Sequence, residues 1–152
     1  MEQDKRVYYR VGRHVYCVNF CDERNTEILL PSSEPFRLDE MPQDEPLLFE
    51  LKVDDAWRPV QKGKEIGQFD CGGNNHGVYL QEDGGYQIVV SDVSGRQCCL
   101  IQSIADFSSA TVCLNGNNVM RNFGLNNALM MMYAFAGADK MTVLMHASVV
   151  RK

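Results

Sequence analysis

Apolar and polar residues alternate with a period of two through most of this chain, and one long stretch near its end changes to helical spacing. Val7, Tyr9 and Val11 alternate with Tyr8 and Arg10. After Gly12 and Arg13 the alternation resumes, with Val15 and Cys17 set against Tyr16 and Val18. This pattern predicts a hairpin around a glycine-containing turn, with His14 at its mouth as a solvated turn residue. The run TEILL, residues 26–30, reads as a short strand. LLFELKV, residues 47–53, reads as a half-buried strand with Leu47, Phe49, Leu51 and Val53 on one face. Between residues 64 and 114 the runs KEIGQFDC, GVYLQ, YQIVVSD, QCCLIQS and ATVCLN follow at the spacing of a sheet or sandwich, separated by CGGNNHG, EDGG, VSGR and IADFSS.

From Phe123 the period changes. Leu125, Leu129, Met132, Tyr133 and Ala136 recur at helical spacing, and Met130, Met131 and Phe135 widen that face. Asn122 is the expected N-cap, and Gly137 the expected left-handed terminus. MTVLMHASVV, residues 141–150, then reads as a last strand whose two faces are both largely apolar, as in a central strand covered on both sides. The expected fold is α+β: a β-rich antiparallel sheet or sandwich of short strands, one main C-terminal helix packed on it, and a buried final strand.

Composition fits a single domain over residues 1–152, long enough to bury roughly two-thirds of its unfolded surface without disulfides. Four of its 5 prolines fall in LPSSEPFRLDEMPQDEP, so residues 31–46 read as an extended, Pro-rich acidic connector. Glu34, Asp39, Glu40, Asp44 and Glu45 make that connector a solvated acidic face. A net charge of -5 and a pI of about 5.1 argue against a broad surface for nucleic acid or anionic membrane. No signal peptide and no apolar window of membrane-spanning length is present, so the expected location is the cytoplasm. The 6 cysteines show no paired C-x-x-C motifs and read as buried free thiols, with Cys98 and Cys99 on opposite faces of one strand.

Candidate chemistry is sparse. CGGNNHG lacks the lysine and hydroxyl residue of a phosphate loop and reads as a hairpin turn. No G-x-S-x-G elbow occurs, and the acidic connector lacks EF-hand spacing, so no metal site is expected. His146 is the single ionisable side chain of the last strand, either a hydrogen-bonded structural residue or a catalytic candidate.

The stretch FGLNNALMMMYAFAGADKMTVLMHASVV resembles the region just ahead of the phosphate loop in proteins related to HPr kinase and, more distantly, phosphoenolpyruvate carboxykinase. LPSSEPFRLDE and IADFSSATVCLNG look like the upstream, β-rich portion of such proteins. The resemblance implies that a strand of the type L-x-H-A-S-x-V leads, through a turn and a second strand, into G-x-S-G-x-G-K-[ST], which binds nucleotide phosphates. It matches His146 to a histidine near the phosphoryl-transfer site, with Ala147 and Ser148 as neighbours. ATP and magnesium are thereby implied for a following C-terminal domain, with no cofactor in these residues. The expected function is an N-terminal accessory domain, not catalytic alone, that scaffolds or regulates that P-loop domain of the same polypeptide. The alternatives are a self-contained module holding a protein partner through its acidic connector or Met-rich helix, and a small phosphotransferase or hydrolase using His146.

Overall fold

The first alternating run becomes strands β1 (Lys5–Val11) and β2 (His14–Phe20), paired antiparallel from Lys5 opposite Phe20 to Val11 opposite His14. Gly12 turns between them at φ +59, a left-handed conformation that glycine adopts without steric cost. The structure is a computed structural model that describes residues 4–60, 63–70 and 75–144.

A two-residue strand β3 (Arg37–Leu38) pairs with the outer side of β1, and β4 (Leu47–Val53) lies parallel to β2. The chain then forms an antiparallel meander of β5 (Lys64–Asp70), β6 (Asn75–Leu80), β7 (Tyr86–Ser91), β8 (Gln97–Ser103) and β9 (Ser109–Leu114). Strand β9 returns to pair parallel with β4, giving one 9-stranded sheet in the order β3-β1-β2-β4-β9-β8-β7-β6-β5. The expected antiparallel, β-rich sheet is present, with parallel joins at β2–β4 and β4–β9 where the chain crosses over. Both edges discourage further pairing: β3 is short, and β5 carries a register shift between Glu65 and Gly67.

Helix α1 (Asn118–Ala138, 21 residues) packs across one face of this sheet. Its N-cap is Asn117, whose side chain accepts from Met120 N at 3.0 Å; the helix therefore begins earlier than a cap at Asn122 would allow. Asn122 instead lies within the helix and donates to Leu29 O at 2.6 Å. At the other end Gly137 remains helical, and Met141 takes the left-handed conformation at φ 54. Leu125, Ala128, Leu129, Met132, Tyr133 and Ala136 form the buried stripe, at i+3 and i+4 spacing. They meet Leu51, Val53, Val112, Leu114, Cys99, Ile101 and Ile88 from the central strands in one core.

Three other expectations are corrected. TEILL is not a strand: Thr26 caps a 3-10 turn over Glu27–Leu29 by accepting from Ile28 N, which buries Leu29 and Leu30 and leaves Ile28 exposed. The acidic connector is not simply extended, because residues Pro31–Phe36 form a second 3-10 turn before β3. Its charges are also partly engaged, Glu45 with Arg10 at 2.7 Å and Glu34 with Arg37 at 3.6 Å.

The third correction concerns the start of the final strand. Residues 141–144 adopt no strand, and Met141 and Val143 are exposed rather than buried. The amides of Lys140 and Thr142 both donate to Gly137 O, so the chain turns tightly off the helix. Residues 145–150 of the expected strand, His146 among them, lie outside the described residues.

Candidate functional site

Where α1 ends, its neighbourhood is built from the first hairpin. The Tyr133 hydroxyl donates to Val11 O at 2.9 Å, and His14 Nε2 lies 2.7 Å from Thr142 Oγ1. The His14 ring also meets the edge of Tyr133, at 6.0 Å between centroids. His14 is thus a half-buried bracket between hairpin and helix exit rather than a solvated turn residue. Tyr133 in turn meets the edge of Tyr16, which stacks between Tyr9 and Phe49 at 5.4 and 4.8 Å. These contacts hold Thr142 in place, and the exposed Met141 and Val143 flank it.

The opposite end of α1 is pinned by charge. Arg121 is buried and donates to Asn25 Oδ1 at 2.8 Å, to Leu114 O at 3.3 Å and to Asp55 Oδ2. Asp55 also accepts from Leu114 N at 2.9 Å, and Asp22 ties its backbone by accepting from Asp55 N. Burial works against the Asp55 charge, but the Leu114 amide, Arg121 and Asn25 outweigh it and hold the carboxyl below its usual range. An open depression beside this network is lined by Arg24, Gly116, Asn117, Asn118, Val119 and Arg121. Arg121 directs its donors inward to protein acceptors, so the network joins helix, β4–β5 connector and β9 as a structural clamp.

A third feature lies between the β5–β6 hairpin and the middle of α1. Phe69, His76, Asn127, Met130, Met131, Ala134 and Phe135 line an open cleft of about 190 Å³. Phe69 stands opposite His76 in the β5–β6 ladder, and its ring lies 6.1 Å from that of Phe135. His76 is only 4% exposed. Its Nδ1 accepts from Ser91 N at 3.2 Å, so the neutral ring carries its proton on Nε2. That Nε2 is buried and, among the described residues, meets no well-formed hydrogen-bond acceptor. Burial pushes the imidazole below its ordinary pKa, and the nearby Asn127 amide, which makes no well-formed bond to Nε2, offsets this only in part. A buried donor left without an acceptor costs about 1–3 kcal/mol.

His76 belongs to the CGGNNHG stretch, where alternation with Val78 is the one sign in the sequence that it opens a strand facing the helix. Residues 71–74 of that stretch lie outside the described residues, as does His146. Among the described residues no three His, Cys, Asp or Glu side chains are grouped to hold a metal ion, and no helix is long and apolar enough to cross a membrane. Cys17, Cys21, Cys98, Cys99 and Cys113 are buried, as expected of small apolar side chains. Comparison of the chain with protein-family models, with curated proteins and with solved structures finds no match.

Proposed function

We propose that this chain is a non-catalytic accessory domain that scaffolds or regulates a P-loop nucleotide-binding domain of the HPr kinase or phosphoenolpyruvate carboxykinase type, following it in the same polypeptide. The observation that carries the reading is the exposed apolar run leaving α1, where Met141 is 97%, Val143 81% and Leu144 43% exposed. Burying a side chain of this kind is worth about 1.5–3 kcal/mol, so a covering element is favoured strongly. The resemblance of MTVLMHASVV to the strand ahead of a phosphate loop supports the kind of element that covers it. The Tyr133–Val11 and His14–Thr142 hydrogen bonds support the scaffolding role, because they fix the point from which the run departs.

In this reading ATP and magnesium belong to the following domain, and His146 serves beside the transferred phosphoryl group there. The buried thiols among the described residues are in keeping with a reducing, cytoplasmic setting. The reading frame beyond Lys152 tests the proposal: a G-x-S-G-x-G-K-[ST] motif is expected soon after it, and a frame that closes without one removes the proposal.

One observation favours the protein-binding alternative: Met130 is 50% exposed on α1 beside the half-buried Met131. Capture of a defined partner by residues 1–152, lost in a folded Met130→Gln variant, would select it.

A further inference from the structure

The turn that joins β9 to α1 carries the chain's one Asn-Gly pair, Asn115 and Gly116. Asn115 is exposed, and among the described residues its side chain makes no hydrogen bond and the Gly116 N–H finds no acceptor. The fold itself demands glycine at 116. Its φ is +87, in the left-handed region, and a Cβ there would lie 3.0 Å from Met120 Cβ. The residue after Asn115 is thereby kept without a side chain, which leaves its amide nitrogen open to approach.

We infer that Asn115 and Gly116 form a site of spontaneous backbone modification, and that its isoaspartyl product loosens the root of α1. Once base removes its proton, the Gly116 nitrogen attacks Asn115 Cγ. The new N–Cγ bond closes a succinimide ring as the Cγ–Nδ2 bond breaks and ammonia leaves with the proton. Water, the only co-reactant, then opens the ring at either carbonyl. Cleavage between the nitrogen and Cγ gives an aspartate at 115; cleavage between the nitrogen and the main-chain carbonyl gives an isoaspartate, whose chain runs through the former side chain.

The other described asparagines are held away from this reaction. Those in β2, β6 and α1 are followed by an N–H fixed in regular backbone geometry. Asn117 turns its side chain to Met120 N as the cap, and Asn25 is buried ahead of the β-branched Thr26.

The effect on α1 follows from what is anchored on either side. Asn115 N donates to Cys98 O at 3.0 Å, and the Asn117 cap accepts from Met120 N at 3.0 Å. An isoaspartyl link inserts an extra main-chain carbon between these anchors, directly after Leu114, whose carbonyl accepts from Arg121 at 3.3 Å. The cap therefore has to shift against the Arg121 clamp. An aspartate makes no such insertion. Its charge, added to a formal net of -5, stands near the positive end of the helix and beside the depression lined by Arg24 and Gly116.

The test holds residues 1–152 folded in mildly alkaline buffer and follows each asparagine by peptide mass spectrometry, with electron-transfer fragmentation separating aspartyl from isoaspartyl forms. Position 115 should convert roughly tenfold faster than any other described asparagine, one decade of rate, and mostly to isoaspartate. The isoaspartyl chain, isolated chromatographically, should unfold at lower urea than both the fresh chain and an Asn115→Asp variant, which carries the same charge on an unaltered backbone. Conversion at 115 no faster than elsewhere, an aspartyl product alone, or an isoaspartyl chain as stable as the fresh one would each overturn the inference. Rates, products and the fresh-chain comparison decide the matter even if the variant does not fold.

Discussion

Buried Arg121 of α1 and partly buried Asp55 of the β4–β5 connector form an ion pair that closes the start of the helix onto the sheet. Asp55→Ala should strand the guanidinium among Asn25 and Leu114, at a cost of about 3 kcal/mol in urea unfolding. The double variant Asp55→Ala/Arg121→Met should lose less than the sum of the single changes, because the stranded charge leaves with its partner. Strictly additive losses would show that the two residues act separately.

Gly124 marks a close approach of helix to sheet. A Cβ built there would lie 2.8 Å from Cys99 Cβ and 3.0 Å from Cys98 O, a backbone atom that has little freedom to move. Alanine gains about 1 kcal/mol over glycine in helix propensity, but overpacking costs about 1–3 kcal/mol. Gly124→Ala is therefore expected to lower the unfolding midpoint. A rise would mean that α1 can shift off β8 freely.

The strands and the buried helix stripe are legible in the sequence because side-chain periodicity records which face is covered. Two-residue turns such as Gly12–Arg13 are legible for the same local reason. What alternation does not carry is the identity of a strand's neighbour, so the parallel joins β2–β4 and β4–β9 leave no local mark. The cap is ambiguous because Asn117, Asn118 and Asn122 offer the same chemistry, and tertiary demand draws Asn122 to Leu29 O. His14 and His76 each read as turn polarity. Their partners, Thr142 and the Ser91 amide, come from distant or separately folded segments.

His76 should leave an acid limb in stability. Its folded-state pKa lies below the ordinary 6.5, and its neighbours Phe69, Ser91, Phe123 and Asn127 carry no charge. The unfolded chain therefore binds the proton first as pH falls, and stability declines from about 6.5 down to the lower folded value, then levels for this group. Asp55 acts at lower pH: its depressed pKa adds stability above 3.8 that is lost as the pH falls through its folded value. Urea midpoints measured against pH should show the first limb in the unaltered chain and lack it in His76→Gln. A limb of equal size in both would assign it to another group.

The buried thiols should be slow nucleophiles. Burial pushes Cys17 and Cys21 up to about 11 and Cys99 well above its ordinary value, so little thiolate exists near neutral pH. Alkylation followed by peptide mass spectrometry should leave Cys17, Cys21, Cys98, Cys99 and Cys113 unmodified until denaturant is added. Rapid modification of any of them in the native chain would contradict the packing described.

The parallel pairing of β4 with β9 has a kinetic meaning. Leu51 meets Ala110 only after the intervening meander has formed its own turns, since β5, β6, β7 and β8 all lie between them in the chain. The two halves of the sheet can each begin from local hairpins, but the seam that joins them closes late, and α1 straddles it. Until that moment β4 and β9 present open, apolar edges to any other strand in solution. Folding yield should therefore fall with chain concentration well before native stability does.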